Sequence, residues 1–490
     1  MLTKLKNNFY NKYFYLIFFC FLFGFLFFKT LINYEGNKLV YIGFSLIFNF
    51  LIIKLIFSRP TFFEIFFSFL LWLGFWLKFS IFESGILKTS QIFDGRVLCN
   101  FDFLNFDKVL IISSISALSI LAAIYSSNLF FSRFDFFSKK KKFKLDEKLF
   151  YLLFYIFIFF YFSINIINQK FGFYQKGLSS FSQFFYLEKT LIPYLYNIGF
   201  GSLICFFIFN LQKIKNNYFY LIILLIIIEG FFSNISIMSR NMILYSSSIF
   251  IGYVFLIKQK KKFKNFQINI TLGFILIILI SILSIYLTND LREKRYINLK
   301  KIEITENSLA KKICLNKDLN NKKFLKNYAI IELFLVRAIG IEGVMATENN
   351  KEKLSLKLLL NSLEENSFTN NKSFYEKTFL ENTNKRNYIN SNQVILPGII
   401  GYLSISGSSF FIFLILFCVT FLLIGLEFFV KSFTQNIILS SFISFVIVWR
   451  LINFGYLVTN TIYFLFSIFF TILLIYFLGI ILIKNDYKKK

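Results

Sequence analysis

Long apolar runs recur along the whole chain, and they restrict its fold more than any other feature of the sequence. Each run is about 20 residues long, which is enough for an α-helix to cross the ~30 Å hydrocarbon core of a bilayer. Of the 490 residues, 57% are hydrophobic, 75 are Phe and only 3 are Pro. Water could not solvate such a surface, so the sequence predicts an all-α, polytopic integral membrane protein.

Twelve transmembrane helices are predicted from these runs. The first run lacks a small-residue cleavage site, so we interpret it as a span rather than a signal peptide. The spans are expected near residues 13–33, 38–57, 61–82, 108–130, 149–168, 191–212, 218–238, 241–257, 268–288, 409–430, 436–454 and 461–483. They define three parts: residues 1–288 with nine spans, a polar segment at 289–393, and residues 394–490 with the last three spans.

The distribution of Lys and Arg predicts the orientation. With a cytoplasmic N-terminus, the segments on that side carry 24 Lys and Arg, whereas the short segments and span ends on the other side carry 10. Positive residues favour the cytoplasmic side, so both termini are expected inside. The segment 289–393, with 105 residues, then forms one large outer (periplasmic) loop.

Composition also argues against several classes of function. The net charge is +28, but the basic runs are short and lie between spans, so no nucleic acid is expected as a partner. The chain has no His and five scattered Cys without a C-x-x-C motif, so neither a metal site nor a cofactor is expected. Without His, a general base would have to be a carboxylate or the substrate itself.

Two apolar stretches are associated with the polar segment 289–393, one inside it and one directly after it. The stretch "YAIIELFLVRAIGIEGVMA" (328–346) has apolar residues at helical spacing, which predicts an amphipathic helix on the membrane surface. The stretch "VILPGIIGYLSISGSS" (394–409) is apolar but is broken by Pro and Gly. We interpret it as a re-entrant or interfacial segment, which requires cover by protein or a water cavity.

Arg240 lies at the short outer turn between spans seven and eight. It either reaches the lipid headgroups or marks the floor of an outward-facing cavity. Glu229 precedes it by eleven residues, so both project from nearly the same helical face about 16 Å apart. An ionisable group in mid-span normally faces the bundle interior, which favours a cavity lined by Glu229.

Other arginines are expected at the same membrane face. Arg450 lies inside span eleven and needs either an acidic partner or a bound anion, and Arg337 either meets lipid phosphates or binds a ligand close to Glu342. Arg292 and Arg295, just beyond span nine, are either interface anchors or further anion ligands. Because a guanidinium binds phosphate in a bidentate manner and keeps its charge, a lipid diphosphate is the natural ligand.

Three motifs carry a family resemblance: "SR" (239–240), "VRAIGIEG" (336–343) and "LPGIIGYLSISGS" (396–408). Together with twelve spans and a late outer loop, they resemble the Wzy-type O-antigen or capsule repeat-unit polymerases. The resemblance implies transfer of a growing glycan from undecaprenyl diphosphate to an incoming lipid-linked repeat unit. It further implies a location in the bacterial inner membrane, in contact with membrane lipid, with a flippase and a chain-length regulator as partners.

With this resemblance, we interpret the individual residues as follows. Arg240 and Arg337, with Arg450, would hold the diphosphates of donor and acceptor. Glu342 or Asp94 would activate the acceptor hydroxyl, or Glu342 is instead a structural partner of Arg337. The enzyme would be a metal-independent, inverting glycosyltransferase.

Two other functions remain open from the sequence. A repeat-unit flippase also has many spans and basic cavities, but such transporters generally lack a 105-residue outer loop. A polyprenyl-phosphate-sugar glycosyltransferase of the GT-C type usually carries acidic residues in a long first outer loop. Here the acidic stretch "NFDFLNFD" (100–107) lies in the second outer segment instead.

Overall fold

The fold is all-α, as predicted. The computed structural model describes residues 23–58, 60–85, 106–131, 145–175, 190–214, 218–239, 241–260, 266–303, 340–349, 354–364, 374–375, 378–379, 397–454 and 458–483. Apart from an isolated β-bridge between Leu145 and Ile483, the ordered structure in these ranges is helical. Ten of the described helices are long and apolar enough to cross a membrane, so the protein is a polytopic membrane protein.

The described helices are numbered here along the chain. Two of them, α3 and α6, contain a π-helical turn, at Leu73–Leu77 and Leu195–Gly199. The bounds are α1 Phe23–Asn33, α2 Lys38–Phe57, α3 Phe62–Glu83, α4 Phe106–Phe131, α5 Glu147–Phe171, α6 Ile192–Ile214, α7 Phe219–Ser236, α8 Met242–Lys260, α9 Phe266–Glu303, α10 Ile341–Glu348, α11 Leu356–Leu363, α12 Gly398–Leu403, α13 Ser409–Thr434, α14 Ile437–Ile452 and α15 Val458–Ile481.

Ten of the twelve predicted spans correspond to the ten long helices. The other two predicted spans correspond to the shorter helices α1 and α14. Only the second half of span one is described, because residues 13–22 lie outside the described ranges. Helix α14 has 16 residues, 14 of them buried, and it packs against α3, α6, α8 and α13. Protein rather than lipid therefore surrounds α14, and it forms the centre of the bundle.

Helix α9 is longer than a span requires. It has 38 residues, of which the apolar part ends near Arg292, and it continues to Glu303. The predicted boundary between the nine-span part and the outer segment, at residue 288, therefore falls inside a continuous helix. Large side chains on α9, including Phe274 and Leu283, are exposed, as expected of a helix that faces lipid.

A carboxylate from α13 fixes the start of α3. Both oxygens of Glu427 accept backbone N–H groups of Phe62 and Phe63, at 2.9 and 2.7 Å, and the Ser444 hydroxyl on α14 donates to the same carboxylate at 3.0 Å. A negative charge at a helix N-terminus satisfies free N–H groups and complements the helix dipole. Glu427 thus ties α3 to α13 and α14, and α3 carries the functional candidates at its other end.

Candidate functional site

Helix α10 comes from the large polar segment, yet all eight of its residues are buried. It lies at the end of the bundle where α3 and α14 finish and where α4 and α13 begin, which we call the loop end. Its contacts include α4, α12 and the 3-10 turn Ser404–Ser406 that follows α12. The surface helix predicted for 328–346 is therefore not what the described part shows, because residues 340–346 lie inside the bundle.

Glycines allow this burial because they let the backbone of α10 pack in direct contact with the backbones of neighbouring segments. A Cβ on Gly340 would meet the carbonyl oxygen of Gly74, in the π-helical turn of α3, at 2.5 Å. A Cβ on Gly343 would overlap the backbone of Pro397, and one on Gly401 would meet the backbone of Gly343 at 2.6 Å. The two stretches singled out in the sequence, around 341–348 and 397–403, thus pack directly against each other.

The second stretch, as expected of a re-entrant segment, is covered by protein. Residues 397–406 are all buried. Gly398 has a left-handed φ of 71°, which glycine adopts without strain, and its N–H donates to the carbonyl of Phe454 just beyond α14 at 2.9 Å. Helix α12 is therefore anchored on the central helix.

An ion pair joins α10 to α3. The Lys78 Nζ lies 2.8 Å from a carboxylate oxygen of Glu342, and the two side chains are 0% and 8% exposed. Lys78 precedes the last residue of α3 by five residues, so the pair lies about 7.5 Å inside the helix end. A charge buried at this depth requires a partner of opposite sign. Glu342 is thus the predicted site residue whose surroundings the structure defines best.

Tyr375, from the same polar segment, packs over this region. It is 1% exposed, and its hydroxyl donates to the carbonyl of Gly343 at 3.4 Å. Burial, together with the negative charge of Glu342, raises the pKa of the Tyr375 phenol above its ordinary value. Tyr375 is therefore a neutral hydrogen-bond donor beside α10.

Glu229 lies in the interior of the bundle, and its predicted place in the lining of an outward-facing cavity stays a prediction. It is fully buried in α7, and its carboxylate accepts no hydrogen bond from the part of the chain that the structure describes. The hydroxyl of Tyr161 on α5 donates to its backbone carbonyl at 3.1 Å. Glu229 therefore packs in the core between helices.

Hydrogen-bonded side chains lie along α7 between Glu229 and the end of the helix at Ser236. The Tyr161 hydroxyl pairs with Ser233 at 3.1 Å, and the Tyr196 hydroxyl on α6 pairs with Ser236 at 2.6 Å. Asn165 and Asn168 of α5 complete these bonds. We call this set the polar ladder, and its members are Tyr161, Asn165, Asn168, Tyr196, Ser233 and Ser236.

The predicted arginines are only partly described. Arg450 is half-buried near the end of α14, and its guanidinium lies 5.6 Å from the ring centre of Phe464. Arg292 is half-buried on α9, and for Arg295 only the place on that helix is described. The remaining candidates lie outside the described residues, so their predicted roles stay predictions; they are Asp94, Arg240 and Arg337.

Sequence reasoning missed three residues of this region: Lys78, Glu348 and Tyr375. For Lys78 a signal was present, because it is the only cation in the apolar run from Phe62 to Glu83. Glu348 and Tyr375 sit among other polar residues of the long segment, where the sequence offers no comparable signal.

Comparisons of the chain with family models, with curated proteins and with solved structures gave no match. The family resemblance consequently stays a prediction that rests on the three motifs and the arrangement of spans. Function has to be argued from the site itself.

Proposed function

We propose that this protein polymerises lipid-linked oligosaccharide repeat units, transferring a growing glycan from undecaprenyl diphosphate to an incoming lipid-linked unit. The observation that carries the proposal is the burial of Glu342 against Lys78, on a helix supplied by the long polar segment. Ionisable groups inside a membrane bundle are costly and usually mark a functional site. The packing of α10 on α12 also supports it, since these helices contain parts of two of the three motifs of the resemblance.

In this proposal the arginines bind the diphosphates of the two lipids. Arg240 and Arg337 are the main ligands, Arg450 is the third, and Arg292 and Arg295 contribute from α9. Fixed guanidinium groups would stabilise the charge that develops on the leaving diphosphate without a metal. The protein would act at the outer face of the bacterial inner membrane, with both termini cytoplasmic.

The reaction would be a single displacement with inversion. A carboxylate, for which Glu342 and Asp94 are the candidates, accepts the proton of the acceptor hydroxyl. The hydroxyl oxygen attacks the anomeric carbon, and the lipid diphosphate leaves with the electron pair of the broken bond. Lys78 would keep Glu342 ionised and fix its position.

A repeat-unit flippase is the second candidate, and the polar ladder is the observation that favours it. The ladder packs beside the backbone of Glu229, a fully buried ionisable group of the kind that marks ion or substrate pathways in transporters. Glu229 would then be the group that gains and loses a proton during transport.

Deletion of the gene separates the two candidates. Loss of a polymerase should leave single lipid-linked repeat units at the outer face, or surface glycans capped with one unit. Loss of a flippase should trap the same units at the cytoplasmic face. A lipid-linked pool that does not change on deletion would contradict both functions.

Arginine variants test the diphosphate assignment. Removing one such donor typically costs about 2.7–4 kcal/mol in the transition state, a hundredfold to a thousandfold in rate. We therefore expect Arg240→Gln and Arg337→Gln to shorten the glycan strongly at equal protein level, with Lys substitutions restoring length only in part. Arg59→Gln, at the predicted cytoplasmic face, is the matched control. Normal glycan length in both variants would reject the assignment.

A further inference from the structure

A cavity of about 240 Å³ opens at the loop end of the bundle, beside the last residue of α10. The volume is far above the ~10–15 Å³ that one water needs and slightly below the ~300 Å³ at which small-molecule sites begin. It therefore has room for one small ring rather than for a lipid or a whole oligosaccharide. The side chains that line it include Ile112, Glu348, Leu354, Ser404, Ser409 and Ile412.

The lining combines a carboxylate and two hydroxyls with three aliphatic side chains. Glu348 is only 6% exposed, and an ionised carboxylate accepts hydrogen bonds but donates none. A ligand rich in hydroxyls supplies hydrogen-bond donors to such a carboxylate, whereas an ionised phosphate supplies none. The aliphatic side chains suit the C–H faces of a ring. The chemistry of the cavity therefore fits a neutral sugar.

The end of α10 is held firmly at this cavity. The hydroxyl of Thr347, next to Glu348, forms a hydrogen bond of 2.5 Å with the Ser404 hydroxyl, which also donates to the Gly401 carbonyl at 2.7 Å. Glu342 lies six residues earlier, about 9 Å along the helix axis, and contacts Lys78. The same helix thus places Glu342 against Lys78 and Glu348 in the lining of the cavity.

We propose that this cavity binds the acceptor sugar of the incoming repeat unit and that Glu348 is the general base. The inference rests on the proposed polymerase function. The proton of the acceptor hydroxyl passes to the Glu348 carboxylate while the hydroxyl oxygen bonds to the anomeric carbon of the donor. The bond from that carbon to the diphosphate breaks, and its electron pair leaves with the lipid diphosphate. Glu342 instead positions α10 through Lys78.

Substitutions on the two carboxylates of α10 test this assignment. General-base catalysis typically contributes about 10²–10⁴-fold, so Glu348→Gln should lose at least a hundredfold of polymer per membrane-inserted protein and accumulate single repeat units outside. Leu354→Trp, which fills the cavity from a half-buried position, should do the same. Glu342→Gln should reduce the amount of folded protein, and a small carboxylate added in solution should not restore the polymer that it loses. The exposed Glu364→Gln is the matched control.

A chemical rescue distinguishes a base from a structural carboxylate. In isolated membranes that contain endogenous lipid-linked units, formate should restore polymerisation to Glu348→Ala, because a small carboxylate can enter the cavity. Equal losses per molecule in Glu342→Gln and Glu348→Gln, without rescue by formate, would overturn the base assignment. Normal glycan length from Leu354→Trp would overturn the sugar site. An unchanged lipid-linked pool after deletion of the gene would instead overturn the polymerase function and this inference with it.

Discussion

Replacing Lys78 and Glu342 singly and together measures how firmly the long polar segment is held in the bundle. At 2.8 Å the Coulomb attraction is about 6 kcal/mol for an effective dielectric constant of about 20. Desolvation of the two ions offsets much of this, at several kcal/mol per ion. We therefore expect a coupling energy of about 1–3 kcal/mol, within the range for residues in direct contact.

The assay is a double-mutant cycle with Lys78→Met, Glu342→Met and both together, which remove each charge and leave an unbranched side chain in its place. Unfolding of the purified protein in mixed detergent micelles gives a free energy for each variant. Each single change should destabilise the protein, and the double variant should be more stable than the sum of the two losses predicts.

A surface ion pair provides the control for this cycle. Lys294 and Asp290 are at 2.7 Å, but their side chains are 69% and 47% exposed. Exposed pairs are screened by water and contribute little, so the same cycle there should give a much smaller coupling. A coupling for Lys78 and Glu342 as small as that of the surface pair would refute the inference that this ion pair anchors α10.

Three further outcomes are expected. Gly343→Ala should cost about 1–3 kcal/mol of unfolding free energy, because its Cβ would overlap backbone atoms. The control Gly479→Ala, whose Cβ meets open space, should be neutral or slightly stabilising. Equal effects of the two substitutions in a thermal unfolding assay would contradict this packing. Glu427→Ala should cost about 1–3 kcal/mol for each backbone N–H left unpaired at the start of α3, and unchanged stability in the same assay would mean that water replaces the carboxylate. A periplasmic reporter enzyme fused at Lys322 should be active and one fused at Lys141 inactive; activity at Lys141 would reverse the proposed orientation.

The long helices were predictable because each membrane-spanning segment forms its backbone hydrogen bonds within itself. In lipid every backbone N–H and C=O must be bonded within the helix, so length and apolarity of one stretch decide the outcome without reference to the rest of the chain. The predicted span 409–430 corresponds to Ser409–Thr434, and 461–483 corresponds to Val458–Ile481. The differences of a few residues lie at helix ends, where polar residues extend the helix into the interface.

The extension of α9 was readable in the sequence but was missed. No Gly or Pro occurs between Gly273 and Gly340, so nothing in the stretch "NDLREKRYINLKKIE" (289–303) breaks a helix. The prediction ended the span where apolarity ends, although a helix continues as long as its backbone bonds are propagated. Hydropathy determines which part of a helix lies in the membrane, and helix propensity determines the total length of the helix.

The candidate site was only partly predictable, because its contacts join distant parts of the chain. Glu342 was named as a site residue from its neighbourhood in the sequence, but its pairing with Lys78 depends on how α10 packs against α3. The segment contains other acidic residues, including Glu332 and Glu348, any of which could have met that lysine. Only the tertiary arrangement selects the pair.

The composition of α10 explains why a helix from a polar segment enters the bundle. A helix on a membrane surface needs a charged face toward water, but "IEGVMATE" (341–348) has only two charged residues and three small ones. Gly343 lets α10 approach α12 to backbone contact, and Lys78 neutralises the one charge that faces α3. Glu348, at the opposite end, is left at the cavity. Close packing against α12 and the contact of Glu342 with Lys78 therefore set the position of α10, and this position places Glu348 in the lining of the cavity.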